Sequence, residues 1–529
     1  MDVWTDELSN TLAYTQWTKI GIKKHHGIAL PLFSLRSRVS CGIGEYPDLL
    51  PLIDFCESIG FDVIQLLPLN DSGPETSPYS AMSALALNPL YLGISSLPFL
   101  ERMQDGHEML LELQALNNLQ RISYPVIQAK REAFLRKYVK INKELLAGSK
   151  EYLAFVQENP WLENFALFKA IKIDTQWQMW EEWPLRLKET TQEVYLDLLS
   201  HYREEILYHS ILQYFCFKQF DASKKAAEAK GIFLKGDIPI LINRESADVW
   251  RYKPFYDLAY AAGAPPDMYA LEGQKWGFPI YNWTQIEEHG FLPWKNRLKV
   301  ADTLYHLYRL DHVVGFFRIW AIPLDKPAKE GHFIPWNKSE WIPQGRKIME
   351  MMLISSGMLP IAEDLGTVPP EVRNCLRELG ICGTKVMRWE RHWEGDRSFL
   401  KKEEYPLISM TTVSTHDSET LQLWWRKNPE EAKEYAEAKG LVYALELSKE
   451  NHQKILWESH HTNSLFHINL LQEYLALIPD MTWEDPEEER INTPGIISEK
   501  NWTYRFRPFL EEITNNSKLA DLMKLLIMP

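Results

Sequence analysis

Four acidic residues close short apolar runs that read as β-strands: Asp237 follows GIFLKG, Asp311 follows LYRL, Glu363 follows LPIA and Asp417 follows ISMTTVSTH. If these strands share one parallel sheet, their C-terminal ends aim side chains at a common edge, and in a (β/α)8 barrel that edge is where reacting groups converge. Carboxylates held close raise one another's pKa, which a fold tolerates where one of them must stay protonated to act as an acid. A carboxylate nucleophile plus a second carboxyl as acid/base is the minimal equipment for retaining glycoside chemistry, at a separation of about 5 to 5.5 Å. Taken singly, each acid is as well explained as a helix N-cap or a salt-bridged loop residue. Spacing alone therefore leaves glycoside cleavage as one of several barrel chemistries.

The neighbours of these acids add detail. Arg309 lies two residues before Asp311, so on a strand it shares the same face and can pair with that carboxylate. His312 and His416 flank carboxylates and read either as donors to ligand hydroxyls or as buried imidazoles satisfied by neighbours. The His416-Asp417 doublet also fits a metal site, but such sites draw further His and Asp ligands from neighbouring helices, whereas this pair follows a strand. CGIGEY contains GxG without a third glycine, and GxxxxGK[ST], HExxH and GxSxG are absent, so no nucleotide, zinc or serine-hydrolase motif is present. Neither a cofactor nor a metal is expected.

Positioning such groups requires a regular scaffold, and the sequence supplies one. Across Asp48 to Ile59, Leu49, Ile53, Cys56 and Ile59 fall near one helical face, Gly60 closes the helix, and FDVIQLLPL follows as a buried strand. The unit returns with Val372, Cys375, Leu376 and Leu379, then Gly380 and the strand GTKVMRW. It returns again where RKIMEMMLISS stops at Gly357 before MLPIA, and where a helix ending at Gly231 precedes IFLKGDIPIL. Helix and strand alternating in this way predict a parallel sheet wrapped in helices. Residues 100–228, with no glycine between Gly148 and Gly231, read as a mainly helical insertion; residues 244–295, dense in Pro, Gly and aromatics, read as a long functional loop.

Composition sets the outer limits. At 529 residues the chain holds several domains or one enlarged barrel. A net charge of −14, with only short basic pairs at Lys224-Lys225 and Lys401-Lys402, disfavours nucleic acid and acidic lipid as partners. Five cysteines without paired CxxC spacing predict buried, reduced thiols and neither a disulfide framework nor a zinc site. The N-terminus carries Asp2, Asp6 and Glu7 where a signal peptide would be basic, and no apolar run approaches the length of a membrane span; a cytoplasmic location is expected. Trp 20, Tyr 23 and Phe 22 suit a large core and equally suit ligands that stack on rings.

Local sequence words narrow the choice. YRLDHVVGFFRIWAIP (308–323), IAEDLGT (361–367) and VSTHDSET (413–420), in that order, resemble the signature segments of the amylomaltases, the 4-α-glucanotransferase family related to α-amylases. SPYSAMSALALNPLYL (77–92), KGDIPILINRESADVW (235–250), GAPPD (263–267), GQKWGFPIYNW (273–283) and NTPG (492–495) extend the resemblance to residues 27–505. It implies one catalytic (β/α)8 TIM barrel over 1–529 with helical and loop insertions, without an extra N-terminal module or a separate C-terminal β-sandwich domain. It implies transfer of an α-1,4-glucan segment to the 4-hydroxyl of another sugar, with maltooligosaccharides, glycogen or amylose as partners. Asp311 then resembles the nucleophile, Glu363 the acid/base and Asp417 the third carboxylate; the resemblance, not physics, selects Glu363 over its neighbour Asp364. Tyr79, Asp267, Gln274 and Trp276 match positions that approach the sugars, Trp276 being a stacking platform or a core tryptophan, and Asp237 and Asn492 are cleft contacts or loop supports. Ser418, Ser80 and Ile496 depart from the family's usual Asn, Gln and Thr and bear on sugar-subsite preference. A hydrolase using the same carboxylates and an inactive glucan-binding protein are the alternatives.

Overall fold

Gly60 shows how the sequence sets the repeating unit. The helix Leu49–Ile59 buries Leu49, Leu52, Ile53, Phe55, Cys56 and Ile59 on one side. It ends because Gly60 adopts φ 78° and ψ 17°, a left-handed conformation that returns its N–H to Cys56 and that glycine adopts without a Cβ penalty. The chain then enters a strand whose residues are all buried. Gly380, at φ 81°, does the same for the helix Pro370–Leu379.

The computed structural model describes residues 3–266 and 271–528. Eight strands repeat the unit: β1 (His25–Leu30), β2 (Val63–Leu66), β3 (Phe233–Ile238), β4 (Leu307–Leu310), β5 (Leu359–Ala362), β6 (Cys382–Val386), β7 (Ser409–Thr412) and β8 (Phe466–Leu470). Each pairs in parallel with its predecessor, and β8 returns to β1 to close the barrel. This is the expected (β/α)8 barrel with helices outside, its core filled by side chains. Among the described residues no helix is long and apolar enough to cross a membrane. All five cysteines are free and buried, as expected.

Between β2 and β3 run six helices of nine residues or more, from Gly106–Ala115 to Arg203–Ala229. Part of this segment builds a satellite core in which Phe168, Trp183 and Trp250 pack together. The stretch after β3 is more ordered than its composition suggests. Tyr260–Ala264 pairs antiparallel with Ile319–Pro323, which pairs with His332–Ile334, and Gln274–Lys275 adds a fourth edge. After Tyr260 the run YAAGA lacks the branched and aromatic residues that mark strands, and its pairing relies on an absent side chain: a Cβ on Gly263 would lie 2.0 Å from the carbonyl oxygen of Gln274.

Candidate active site

Arg309 organises the C-terminal mouth of the barrel. It is the third residue of β4, and β3 aligns Asp237 beside it in register. One guanidinium nitrogen bonds both oxygens of Asp237 at 2.9 Å, while the other lies 2.8 Å from Asp311 Oδ1 and 3.8 Å from Glu363 Oε2. Burial disfavours a charged guanidinium, but Asp237 and Asp311 outweigh it and hold the arginine firmly protonated. Asp311 and Glu363 follow β4 and β5 directly, so each strand end delivers one carboxylate to the cavity.

Glu363 is fixed by its neighbours. The backbone N–H of His312 donates to Oε2 at 2.8 Å and that of Leu365 to Oε1 at 3.1 Å. To present that N–H, His312 takes φ 43°, a strained conformation for a residue with a side chain. Burial raises Glu363 to about 7; Arg309 opposes this and the neighbouring Asp311 reinforces it. Asp364 has a different position. Its Oδ1 accepts from Thr384 N at 2.7 Å and its Oδ2 from Arg373 Nε at 3.1 Å, and its carboxylate does not line the cavity. The two adjacent acids, equivalent by chemistry in the sequence, face opposite environments.

Asp417 stands on the loop after β7. Asn492 donates to its Oδ1 at 2.7 Å and His416 Nε2 lies 3.2 Å from its Oδ2. Burial alone would raise this carboxyl, but the His416 and Asn492 contacts hold it well below the usual carboxylate range. The Tyr79 hydroxyl donates to Asp237 Oδ2 at 2.8 Å, which leaves His416 Nε2 to donate to the phenol oxygen at 2.9 Å. The Tyr79 ring stacks on His416 at 5.6 Å. One network thus runs from Asp417 through His416, Tyr79 and Asp237 to Arg309.

These groups surround a cavity of about 600 Å³ lined by Tyr79, Gln274, Trp276, Arg309, Asp311, His312, Glu363, His416, Asp417 and Asn492. The antiparallel sheet roofs it: Trp276 N bonds Ala262 O at 2.9 Å, and Ala262 N bonds Phe278 O at 2.7 Å. Trp276 meets the His312 ring edge-on at 5.0 Å. Asp237 is brought to the network but not to the cavity; its side chain is 0% exposed and supports Arg309 and Tyr79 from behind. Asp267 lies outside the described residues. Of the departures noted above, Ser418 accepts from Thr415 N at 3.0 Å and shapes the loop that carries Asp417.

Three further lining residues escaped the sequence reading. Trp389 follows β6 and Trp502 packs against Tyr79 and His416; both were hidden among 20 tryptophans. Gln65 was detectable, being the one polar residue in the run VIQLL of a buried strand.

A family model described as 4-alpha-glucanotransferase matches residues 30–511. The chain is 44% identical to the 4-alpha-glucanotransferase of Chlamydia pneumoniae, covering 96% of this chain and 98% of that one. It is 32% identical to the 4-alpha-glucanotransferase of Thermus thermophilus, over 86% of this chain and 89% of that one. The solved structure of an amylomaltase from Streptococcus agalactiae in complex with acarbose superposes with a TM-score of 0.82 at 25% identity, covering 95% of this chain and 98% of that one. A shared sequence and a shared barrel thus accompany the carboxylate-lined cavity, and the chain belongs to the 4-alpha-glucanotransferase family, the amylomaltases, as a glucan-transferring enzyme.

Proposed function

We propose that this enzyme transfers α-1,4-glucan segments by a retaining double displacement. In the first step Asp311 attacks the anomeric carbon as the glycosidic C–O bond breaks, and Glu363 gives its proton to the departing oxygen. In the second, Glu363 takes the proton of an acceptor 4-hydroxyl, whose oxygen displaces Asp311 from the anomeric carbon. Asp417, set by Asn492 and His416, holds sugar hydroxyls and favours the oxocarbenium-like transition state. The scheme uses neither cofactor nor metal.

The observation that carries this reading is the sharing of one Arg309 nitrogen by Asp311 and Glu363. Their nearest oxygens can be no farther apart than those two contact distances combined, a closeness that supports the retaining separation of about 5 to 5.5 Å. The pKa of Glu363, raised to about 7, suits a group that must give up a proton and then recover it. The roof carrying Gln274, Trp276 and Phe278 suits exclusion of water in favour of a sugar acceptor. Donors in this reading are maltooligosaccharides and longer α-1,4-glucans; that the streptococcal relative was solved in complex with acarbose supports a sugar-like ligand. The same reading takes the chain as one catalytic unit in the cytoplasm, with 100–228 as a helical insertion and 244–295 as the site's roof.

Incubation with maltotriose tests it. The expected result is glucose together with longer chains at a constant number of reducing ends. A rising reducing-end count would identify a hydrolase, and unchanged maltotriose that nevertheless binds would identify an inactive binding protein.

A further inference from the structure

Lys235 and Gln65 break the apolar pattern of two buried strands, and they meet. The two residues align in register across the β2–β3 pair. Lys235 is 0% exposed. Its Nζ makes two polar contacts among the described residues, 2.8 Å to Gln65 Oε1 and 3.0 Å to Met410 Sδ. Gln65 and Met410 both line the floor of the catalytic cavity, whereas Lys235 lies beneath it. A buried cation held by an amide and a thioether, with no carboxylate bonded to it, is an expensive way to fill a barrel interior. A methionine or leucine would fill the same space without that cost.

What the lysine achieves there is direction. An ammonium donates and never accepts, so it fixes which end of the Gln65 amide faces it: the carbonyl must point down to Lys235 and the NH2 away. Gln65 lines the cavity, and among the described residues its Nε2 gives no hydrogen bond. We propose that Lys235 is a positioning residue that locks the Gln65 amide with its NH2 group toward the cavity, where it donates to a hydroxyl of the glucose unit bound on the floor. The inference rests on the glucan-transfer reading and adds a floor contact to it.

The groups facing Lys235 agree with a role in orientation rather than in ion pairing. Asp237 stands two residues ahead on β3, Arg309 faces it from β4 and Cys382 from β6; burial first and Arg309 second lower the amine to about 7, with Asp237 and Cys382 only partly offsetting them. The ammonium form, which only donates, fixes the amide direction at pH below about 7; above it the neutral amine can also accept, so the direction is held less strictly.

The test uses the full chain, maltotriose as substrate, and kcat, KM and Tm as readouts. K235M, close to isosteric and apolar, is expected to lose about 10-fold in kcat/KM, the scale of one misdirected hydrogen bond, with Tm unchanged or raised because the buried charge is gone. A packing role predicts the opposite, loss of Tm with the activity. Gln65→Glu keeps an acceptor for Lys235 but offers the sugar no NH2, and is expected to lose at least as much activity without losing Tm; it serves even if K235M does not fold. In a Gln65→Met background, K235M is expected to add less than 2-fold. Wild-type kcat/KM in K235M or in Gln65→Glu would overturn the proposal, as would a full K235M effect persisting in the Gln65→Met background. The wild-type enzyme in the same assay reports on the transfer reading itself, so failure of one is distinguishable from failure of the other.

Discussion

At the mouth of the barrel Arg309 gathers Asp237, Asp311 and Glu363 around one guanidinium beside an open cavity. At the opposite end, where the parallel strands begin, half-buried His26 crowds against the buried His460 and His467. His26 Nδ1 lies 2.9 Å from His460 Nδ1, His26 stacks on His467 at 5.1 Å, and His460 Nε2 meets the Tyr474 hydroxyl at 2.8 Å. Burial lowers His26 to about 4 and His460 and His467 well below their ordinary value. Both ends bury titratable groups, but the mouth maintains charge by pairing opposite signs, whereas the base keeps its three clustered imidazoles neutral. Proton uptake should therefore support both rate and stability at the mouth, through Glu363, and cost stability without touching rate at the base.

The largest expected effect breaks the mouth directly. Asp311→Asn removes the nucleophile and should lower kcat for maltotriose disproportionation by roughly 10⁴- to 10⁶-fold, as loss of nucleophiles does in other covalent enzymes, with Tm within a few degrees of wild type. Glu363→Gln should cost about 10²- to 10⁴-fold. Its pH dependence sharpens the contrast: the acid form persists up to about 7, so wild-type kcat/KM should fall as pH rises past that value. The ordinary carboxyl ionises near 4.5, so the folded state binds the extra proton between about 4.5 and 7 and loses stability as pH rises through that window. Glu363→Gln should accordingly raise Tm at pH 8 and leave it unchanged at pH 4; an equal shift at both would refute the assignment.

The base predicts the reverse. A histidine lowered from 6.5 to about 4 binds its proton in the unfolded chain first, so stability falls as pH drops below about 6.5, by about 2 kcal/mol for His26 at pH 5. His467→Leu should narrow the loss of Tm between pH 7 and pH 5 while leaving kcat/KM within 2-fold; a changed rate would dissolve the distinction between the two ends. The smallest effect concerns the roof. Trp276→Ala should raise KM for maltotriose several-fold, on the scale of one lost stacking contact, with little change in kcat.

Much of this architecture was legible in the chain. Gly60 and Gly380 marked helix ends because only a left-handed residue turns the chain there, and the strand ends named Asp311 and Glu363 because periodicity fixes where strands stop. Asp237 was placed correctly on β3 but not in depth, since whether a carboxylate lines a cavity or supports an arginine depends on a partner strand 72 residues away. Asp364 could not be separated from Glu363, because the difference lies in Thr384 and Arg373. The roof sheet was hidden for another reason: its strand Tyr260–Ala264 is defined by what fits between backbones, a property that residue propensity does not record.

That roof has a consequence for how the molecule can be altered. Its central strand, Ile319–Pro323, follows Asp311 in the chain after only the short helix Val314–Phe317, and its neighbour Tyr260–Ala264 carries the hydrogen bonds that suspend Trp276 and Phe278. Loops on a barrel are ordinarily exchangeable parts, each replaceable without disturbing the next. Here the strand that anchors the ceiling and the residue that does the chemistry are sections of one continuous cable. A transplanted ceiling would arrive with tension on Asp311, so grafting a new acceptor preference onto this scaffold requires moving both together.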